Sequence, residues 1–216
     1  MCGRIFIQPG AALNVLLSGL GLGGVELPKC NNLAPTEAIP VIRQVVTGQS
    51  ELTPMRWWLH PGWSREPPNQ KFATFNARIE TIQASPTFRG PIKHQRGIVP
   101  ASAFVEWQAQ GKQKQPLLIE GTTAPLALAA IWDVWQGELY SCAIITQPAN
   151  ESFSSIHQRM PLALTLDQAK EWLDPQATAA ELLSRLRGSC VALSAKRIDA
   201  AVNNARNKGD AVLLPS

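Results

Sequence analysis

Cys2, Asn76, Glu106 and His157 are widely separated in the chain, yet each carries a group that can make or break bonds. Cys2 is the most telling. A small second residue favours removal of the initiator, so Met1 is expected to be absent from the mature chain. The product then bears an α-amine and a thiol on adjacent carbons. Such an amine attacks an aldehyde to give an imine, and the neighbouring sulfur can close a five-membered thiazolidine. An internal cysteine cannot do this, because its nitrogen is already an amide. The free α-amine titrates near pH 7.7–8.0, about where a useful fraction is neutral and nucleophilic. Taken alone, a cysteine in second place is also what chance provides.

The other groups suit supporting roles. Asn76 offers a donor and an acceptor with which to orient an amine or a hydroxyl. Glu106 ends the apolar run Ala103-Phe104-Val105, where loss of water would fit a carboxyl for acid/base work. A strand-end glutamate facing water fits the same residues. His157 lies between a Ser-rich turn and Pro161 and can shuttle protons, while His60 and His94 read as structural. Arg78 and Arg159 carry forks suited to phosphate, though either also reads as a solvated surface cation.

The composition sets bounds. Lysine and arginine total 20 against 16 aspartates and glutamates, a net charge of +4, which is compatible with a polyanionic partner without demanding one. Seven Trp accompany one Tyr, and an indole face serves a core and a nucleobase equally well. Cys2, Cys30, Cys142 and Cys190 form no C-x-x-C pair, so neither a metal nor another cofactor is expected. Cys30, Cys142 and Cys190 read as ordinary buried thiols. The apolar stretch Ala11–Leu17 is too short for export or membrane spanning. A cytoplasmic, nucleoid-associated monomer is the expectation.

Short apolar runs alternate with Gly, Pro and Asn turns, the pattern of small barrels and sandwiches. Strands are expected at Arg4–Ile7, Ile39–Thr47, Pro54–Trp58, Gly97–Val99, Phe104–Trp107, Pro116–Glu120, Leu126–Trp135, Leu139–Thr146 and Cys190–Leu193. Helices are expected at Ala11–Leu17, after Thr165 with Gln168 completing a capping box, and from Thr178 to Gly188. The segment Pro61–Lys71, with Trp63 inside it, reads as an exposed functional loop. The fold class is α+β, one domain over residues 1–216 with a β-barrel-like core of mainly antiparallel strands and a few flanking helices.

Read together, the motifs are far more specific than any one of them. Cys2-Gly3-Arg4, Asn32-Leu33-Ala34-Pro35, Arg56-Trp57, Pro61-Gly62-Trp63, Asn76-Ala77-Arg78, Phe88-Arg89, Glu106-Trp107, His157-Gln158-Arg159-Met160-Pro161 and Val202-Asn203-Asn204 follow in order. From Cys2 to about Leu214, roughly the whole domain, the chain resembles the SRAP family of abasic-site processing proteins. The resemblance implies a covalent thiazolidine between Cys2 and the ring-opened sugar of an abasic site in single-stranded DNA. Asn76 would hold the amine and lesion in register, Glu106 would serve as general acid/base, and His157 would act in imine steps, β-elimination or reversal. Arg4, Arg78 and Arg159 would grip phosphates, Asn32 would belong to the DNA-binding set, and Trp63 and Pro35 would border the channel. Autocatalytic processing of the N-terminus and a setting in the SOS response are also implied.

The chain departs from the family pattern in places. Trp58 stands where Gly is usual, Gly97 where Cys is common, Val105 where Tyr or Phe is frequent, Gln158 where Asp is common, and Asn31 where an aromatic is usual. Trp58 bears on channel shape and Gln158 on the orientation of His157. Two other functions use the same residues. An N-terminal-nucleophile amidohydrolase would need Cys2 but no basic surface, and a non-covalent reader of single-stranded nucleic acid would need the surface but not Cys2.

Overall fold

The computed structural model describes residues 2–45 and 48–215. Met1, whose removal is expected above, lies outside them, as do the last two positions of the expected strand Ile39–Thr47. The chain opens with β1 (Ile5–Ile7) and α1 (Ala11–Gly19), followed by β2 (Cys30–Leu33), β3 (Ala38–Gln44) and β4 (Ser50–Arg56). A long irregular stretch leads to β5 (Asn76–Arg78), then α2 (Pro91–His94) and the successive strands β6 (Arg96–Ala101), β7 (Ala103–Gln110), β8 (Gln113–Gly121), β9 (Leu126–Trp135) and β10 (Leu139–Pro148). After α3 (Glu151–Ser154) come β11 (Arg159–Pro161), β12 (Ala163–Leu164), α4 (Leu166–Leu173), α5 (Ala179–Leu186) and β13 (Leu193–Arg197). Two 3-10 turns, Ala200–Asn203 and Asp210–Leu213, end the fold.

The strands form two sheets, so the α+β reading holds. One runs β13-β8-β7-β1-β2. In the other, β10, β4, β3, β6 and β9 follow one another, and β9 pairs back to β10. The barrel is therefore partial: the β10–β4 seam is parallel and rests on the single pair Ser141↔Arg56, whereas β3–β4 and β6–β9 pair along their lengths. The main core fills the ring and the space beneath α1, α4 and α5. A second, smaller core lies behind β1, β7 and β8, where Phe6, Val105 and Leu118 meet Ile198, Val202 and Val212 from the C-terminal segment.

Local sequence explains most element ends. Thr165 accepts from the Gln168 amide and Gln168 Oε1 accepts from the Thr165 amide, closing the capping box of α4. Thr178 caps α5, and Gly188, at φ 84°, takes the left-handed turn that releases the chain after it. That turn carries residues 189–192 across the fold before pairing starts, so β13 begins at Leu193 rather than at Cys190. Cys30 and Cys190 are half-buried rather than buried; Cys142 is buried, and so is Cys2. Gly97 has no room for a cysteine, since a Cβ there would meet Val41 Cγ1 at 2.6 Å.

Arg96 is an internal fastener. Its Nε donates to the Trp172 carbonyl at 2.8 Å, Nη1 to those of Ile92 and Lys93, and Nη2 to those of Asp174 and Ala177. Carbonyls at the ends of α2 and α4, which those helices cannot pair internally, are thereby satisfied from one side chain. Burial lowers the pKa of this guanidinium.

Candidate functional site

Residues 2–4 precede the β1–β7 ladder, whose paired residues are Ile5↔Phe104 and Phe6↔Ala103. One further bond, from the Val105 amide to the Arg4 carbonyl at 3.0 Å, continues the register, so Gly3 comes opposite Glu106. Cys2 is 0% exposed. Asn76 Nδ2 donates to the Cys2 carbonyl at 3.0 Å. Burial pushes the Cys2 thiol far above its ordinary range, and the nearby Glu106 charge pushes it further. Sequence positions 2, 76 and 106 thus meet in one buried cluster.

Asn76 reaches the cluster because Asn76-Ala77-Arg78 is a strand, not a turn. β5 lies parallel to β10, with Ile144↔Asn76 and Thr146↔Arg78 in register. Ala77 is buried while Arg78 is exposed, the alternation a strand imposes. Glu106 is only 2% exposed, so the water-facing alternative does not hold. Its neighbours on the same face of β7 are Phe104 and Gln108. The Phe104 ring packs on Phe153 at 6.1 Å, and Gln108 Nε2 donates to the Ser155 carbonyl at 3.0 Å. These two tethers flank Glu106 and hold the turn leading to His157 on its side of the strand.

His157 Nδ1 lies 2.9 Å from the Arg159 amide nitrogen and 3.1 Å from the Arg159 carbonyl oxygen. A backbone amide thus orients the ring, and the Gln158 side chain is exposed beside it. The Arg159 guanidinium is committed within the protein, to Glu80 through both terminal nitrogens and to the Thr146 carbonyl at 2.8 Å. Glu80 in turn has its pKa lowered: burial works against this, but the hydrogen bonds and charge of Arg159 outweigh it together.

Other expected contact residues are placed differently. Asn32 is 0% exposed; its amide donates to the carbonyls of Asn204 and Asn207, and its Oδ1 has no partner within the protein. It adopts φ 52°, a conformation that asparagine tolerates, and it fastens the C-terminal segment. Pro35 is half-buried in the turn before Thr36, which itself has φ 82°. Arg4 is half-buried; Nη1 donates to the Gly3 carbonyl, Nη2 to the Asn203 carbonyl, and its guanidinium lies over the Trp107 ring at 5.7 Å. Burial lowers its pKa.

Trp63 is 66% exposed, as a ligand-facing indole should be, and Phe72, missed in the sequence, is 71% exposed. They line a cavity of about 660 Å³ with His60, Lys71 and Thr74, ending two residues before Asn76. Phe72 lies in the polar stretch after the Pro/Gly-rich loop, and an aromatic stranded there was its only signal. Trp58 packs on Phe75 with ring centroids 5.3 Å apart, so the departure from glycine fills space beside Asn76. Several buried polar atoms here have no hydrogen-bond partner within the protein: Arg4 Nε, Trp58 Nε1, Thr74 Oγ1, Asn76 Oδ1 and Arg159 Nε.

A buried cysteine next to the N-terminus, beside a carboxylate and with its carbonyl held by an asparagine, sits on a mixed α+β scaffold. The chain matches the family model for SOS response associated peptidase (SRAP) over residues 1–205, and it belongs to that family. The abasic site processing protein YoaM of Bacillus subtilis is 36% identical over 191 residues, covering 84% of this chain and 83% of that protein. YedK of Escherichia coli, also an abasic site processing protein, is 31% identical over 171 residues, with 76% and 75% covered. The crystal structure of a protein from Bacteroides thetaiotaomicron superposes with a TM-score of 0.78 at 25% identity, over the whole of both chains. Among the described residues no helix is long and apolar enough to cross a membrane.

Proposed function

We propose that this chain captures abasic sites in single-stranded DNA by forming a thiazolidine through Cys2. The observation that carries the reading is the meeting of Cys2, Asn76 and Glu106, drawn from three distant stretches of sequence. Once Met1 is removed, the α-amine adds to the aldehyde carbon of the opened sugar. Loss of water, with a proton delivered by Glu106, gives the imine. The thiol sulfur then adds to the imine carbon, and its proton passes by way of Glu106 to the nitrogen. One water is released overall.

The environment supports that order of steps. A thiol held protonated by burial does not compete with the amine for the aldehyde. It becomes a nucleophile only when a base takes its proton, and the Glu106 carboxylate is close by. Asn76 Oδ1, without a partner in the protein, can accept from the amine N–H and fix its lone pair. His157, an imidazole on the Glu106 side of β7, suits the proton transfers of β-elimination or reversal. Arg78 is the exposed cation of the set, while Arg4 and Arg159 reach phosphate only by giving up internal partners. Unpaired bases beside the lesion would stack on Trp63 and Phe72, at about 1–3 kcal/mol each. All these groups come from one chain, so a monomer suffices.

Intact mass spectrometry after mixing with abasic single-stranded DNA tests the reading. The expected species has the mass of the protein without Met1 plus the oligonucleotide, less one water, and it survives denaturation. No such species with the processed protein, or an adduct that forms with Met1 retained, would sink it. Turnover of an added amide substrate without adduct would favour the amidohydrolase.

A further inference from the structure

Beyond the bond from the Val105 amide to the Arg4 carbonyl, Asn76 holds the Cys2 carbonyl from one side of the β1–β7 pair, and residues 2–4 gain from a matching hold on the other. The geometry points to Asn203, on the reverse face of the β1–β7 pair, as the positioning residue that supplies it. Its side-chain oxygen accepts from Trp107 Nε1 at 2.7 Å, and its carbonyl accepts from Arg4 Nη2 at 3.1 Å. The two residues it holds are already stacked, guanidinium over indole, at 5.7 Å. Asn203 therefore closes a three-membered clasp on the residues that flank the reacting pair: Arg4, two beyond Cys2, and Trp107, one beyond Glu106.

The clasp has a firm base. Asn203 follows Val202, fully buried in the small core against Val105 and Phe6. Asp199 caps the turn by accepting from the Ala201 amide at 2.7 Å. Register carries the effect through the sheet: fixing Arg4 against Trp107 fixes Gly3 opposite Glu106, and with it the position of the nitrogen and sulfur of Cys2. Asn203 acts through Trp107 and Arg4. The asparagine stands in the Val202-Asn203-Asn204 motif near the chain's end, some two hundred residues in sequence from the group it positions, as roughly expected when termini meet in space.

This inference rests on the proposed capture reaction for its kinetic arm, and a second arm is independent of that reaction. In the independent arm, alkylation of Cys2 by iodoacetamide is followed by peptide mass spectrometry, which separates Cys2 from the half-buried Cys30 and Cys190. Asn203→Leu removes the acceptor and is expected to speed Cys2 alkylation about fivefold, the worth of one net hydrogen bond. Asn203→Asp keeps an acceptor oxygen for the indole and is expected to stay within about twofold of the parent. Trp107→Phe removes the donor and should match Asn203→Leu, with the double variant no worse than either. In the kinetic arm, Asn203→Leu should lower the maximal adduct rate by about the same fivefold factor without changing the DNA concentration at half-saturation. Unchanged alkylation, failure of Asn203→Asp to rescue, or multiplying losses in the double variant would each overturn the clasp. So would a change confined to half-saturation, which would make Asn203 a DNA contact. Absence of any adduct from the parent protein would sink the capture reaction and leave alkylation to judge the clasp.

Discussion

Two buried polar regions in this molecule are built to opposite rules. Around Arg96 every guanidinium N–H has a carbonyl to meet: five donors, five acceptors. Around Cys2 the accounts do not close, for Asn76 Oδ1, Arg4 Nε and Arg159 Nε find nothing within the protein. A buried polar group without a partner costs about 1–3 kcal/mol, so a fold keeps few of them. The saturated region spends its hydrogen bonds on joining helices; under the proposed reaction the unsaturated one keeps them for the substrate. Both regions are buried and polar; what sets these two apart is completeness of pairing.

That contrast can be broken most severely at the nucleophile. Cys2→Ala should abolish the denaturant-stable adduct altogether, while affinity for single-stranded DNA, measured by anisotropy, stays within about twofold because no phosphate contact is lost. A residual covalent species would place the chemistry elsewhere. At the saturated centre, Arg96→Met should cost about 3 kcal/mol or more by stranding several buried carbonyls. It should lower the melting temperature by roughly 6–12 °C, with the adduct rate of the folded fraction unchanged. A slower rate at full folding would join the two regions into one.

Smaller effects sharpen the comparison. Glu106→Gln keeps the shape and removes the base, and single-turnover rates at neutral pH should fall about 100-fold. Arg78→Glu should weaken binding about tenfold for every sequence alike and reduce the salt slope by about one. A loss that depends on sequence would contradict phosphate contact. The last prediction concerns pH. Burial holds the thiols of Cys2 and Cys142 far above the ordinary 9.0, so above that pH the unfolded chain releases protons that the native chain keeps. The thiols' stabilising contribution is whole below pH 9.0 and declines as pH rises, by about 1.4 kcal/mol per unit for each. Thermal melts from pH 8 to 10 should show the decline, and Cys142→Ala should flatten its slope, roughly by half, even if its overall stability is lower.

What could be read in advance follows the range of the interactions involved. The caps at Thr165 and Thr178, the strand Leu126–Trp135 and the exposed loop around Trp63 are written in neighbouring residues, and they match the structure. β5 was hidden, because three residues joining β10 in parallel have no hairpin partner and no alternation long enough to register. The reach of Arg96 to Trp172 and Ala177 was equally invisible, since a lone arginine before Gly97 carries no sign of carbonyls some eighty positions on. The chemistry of an N-terminal cysteine could be stated from the sequence; its enclosure could not, since that depends on Asn76 and Glu106 arriving from distant stretches of chain.

That enclosure also bears on the protein's endurance between encounters. Peroxide and small alkylating metabolites consume thiolates that solvent can reach. A sulfur kept uncharged and out of water is a poor target for them, so burial preserves the reagent that the proposed capture reaction would use.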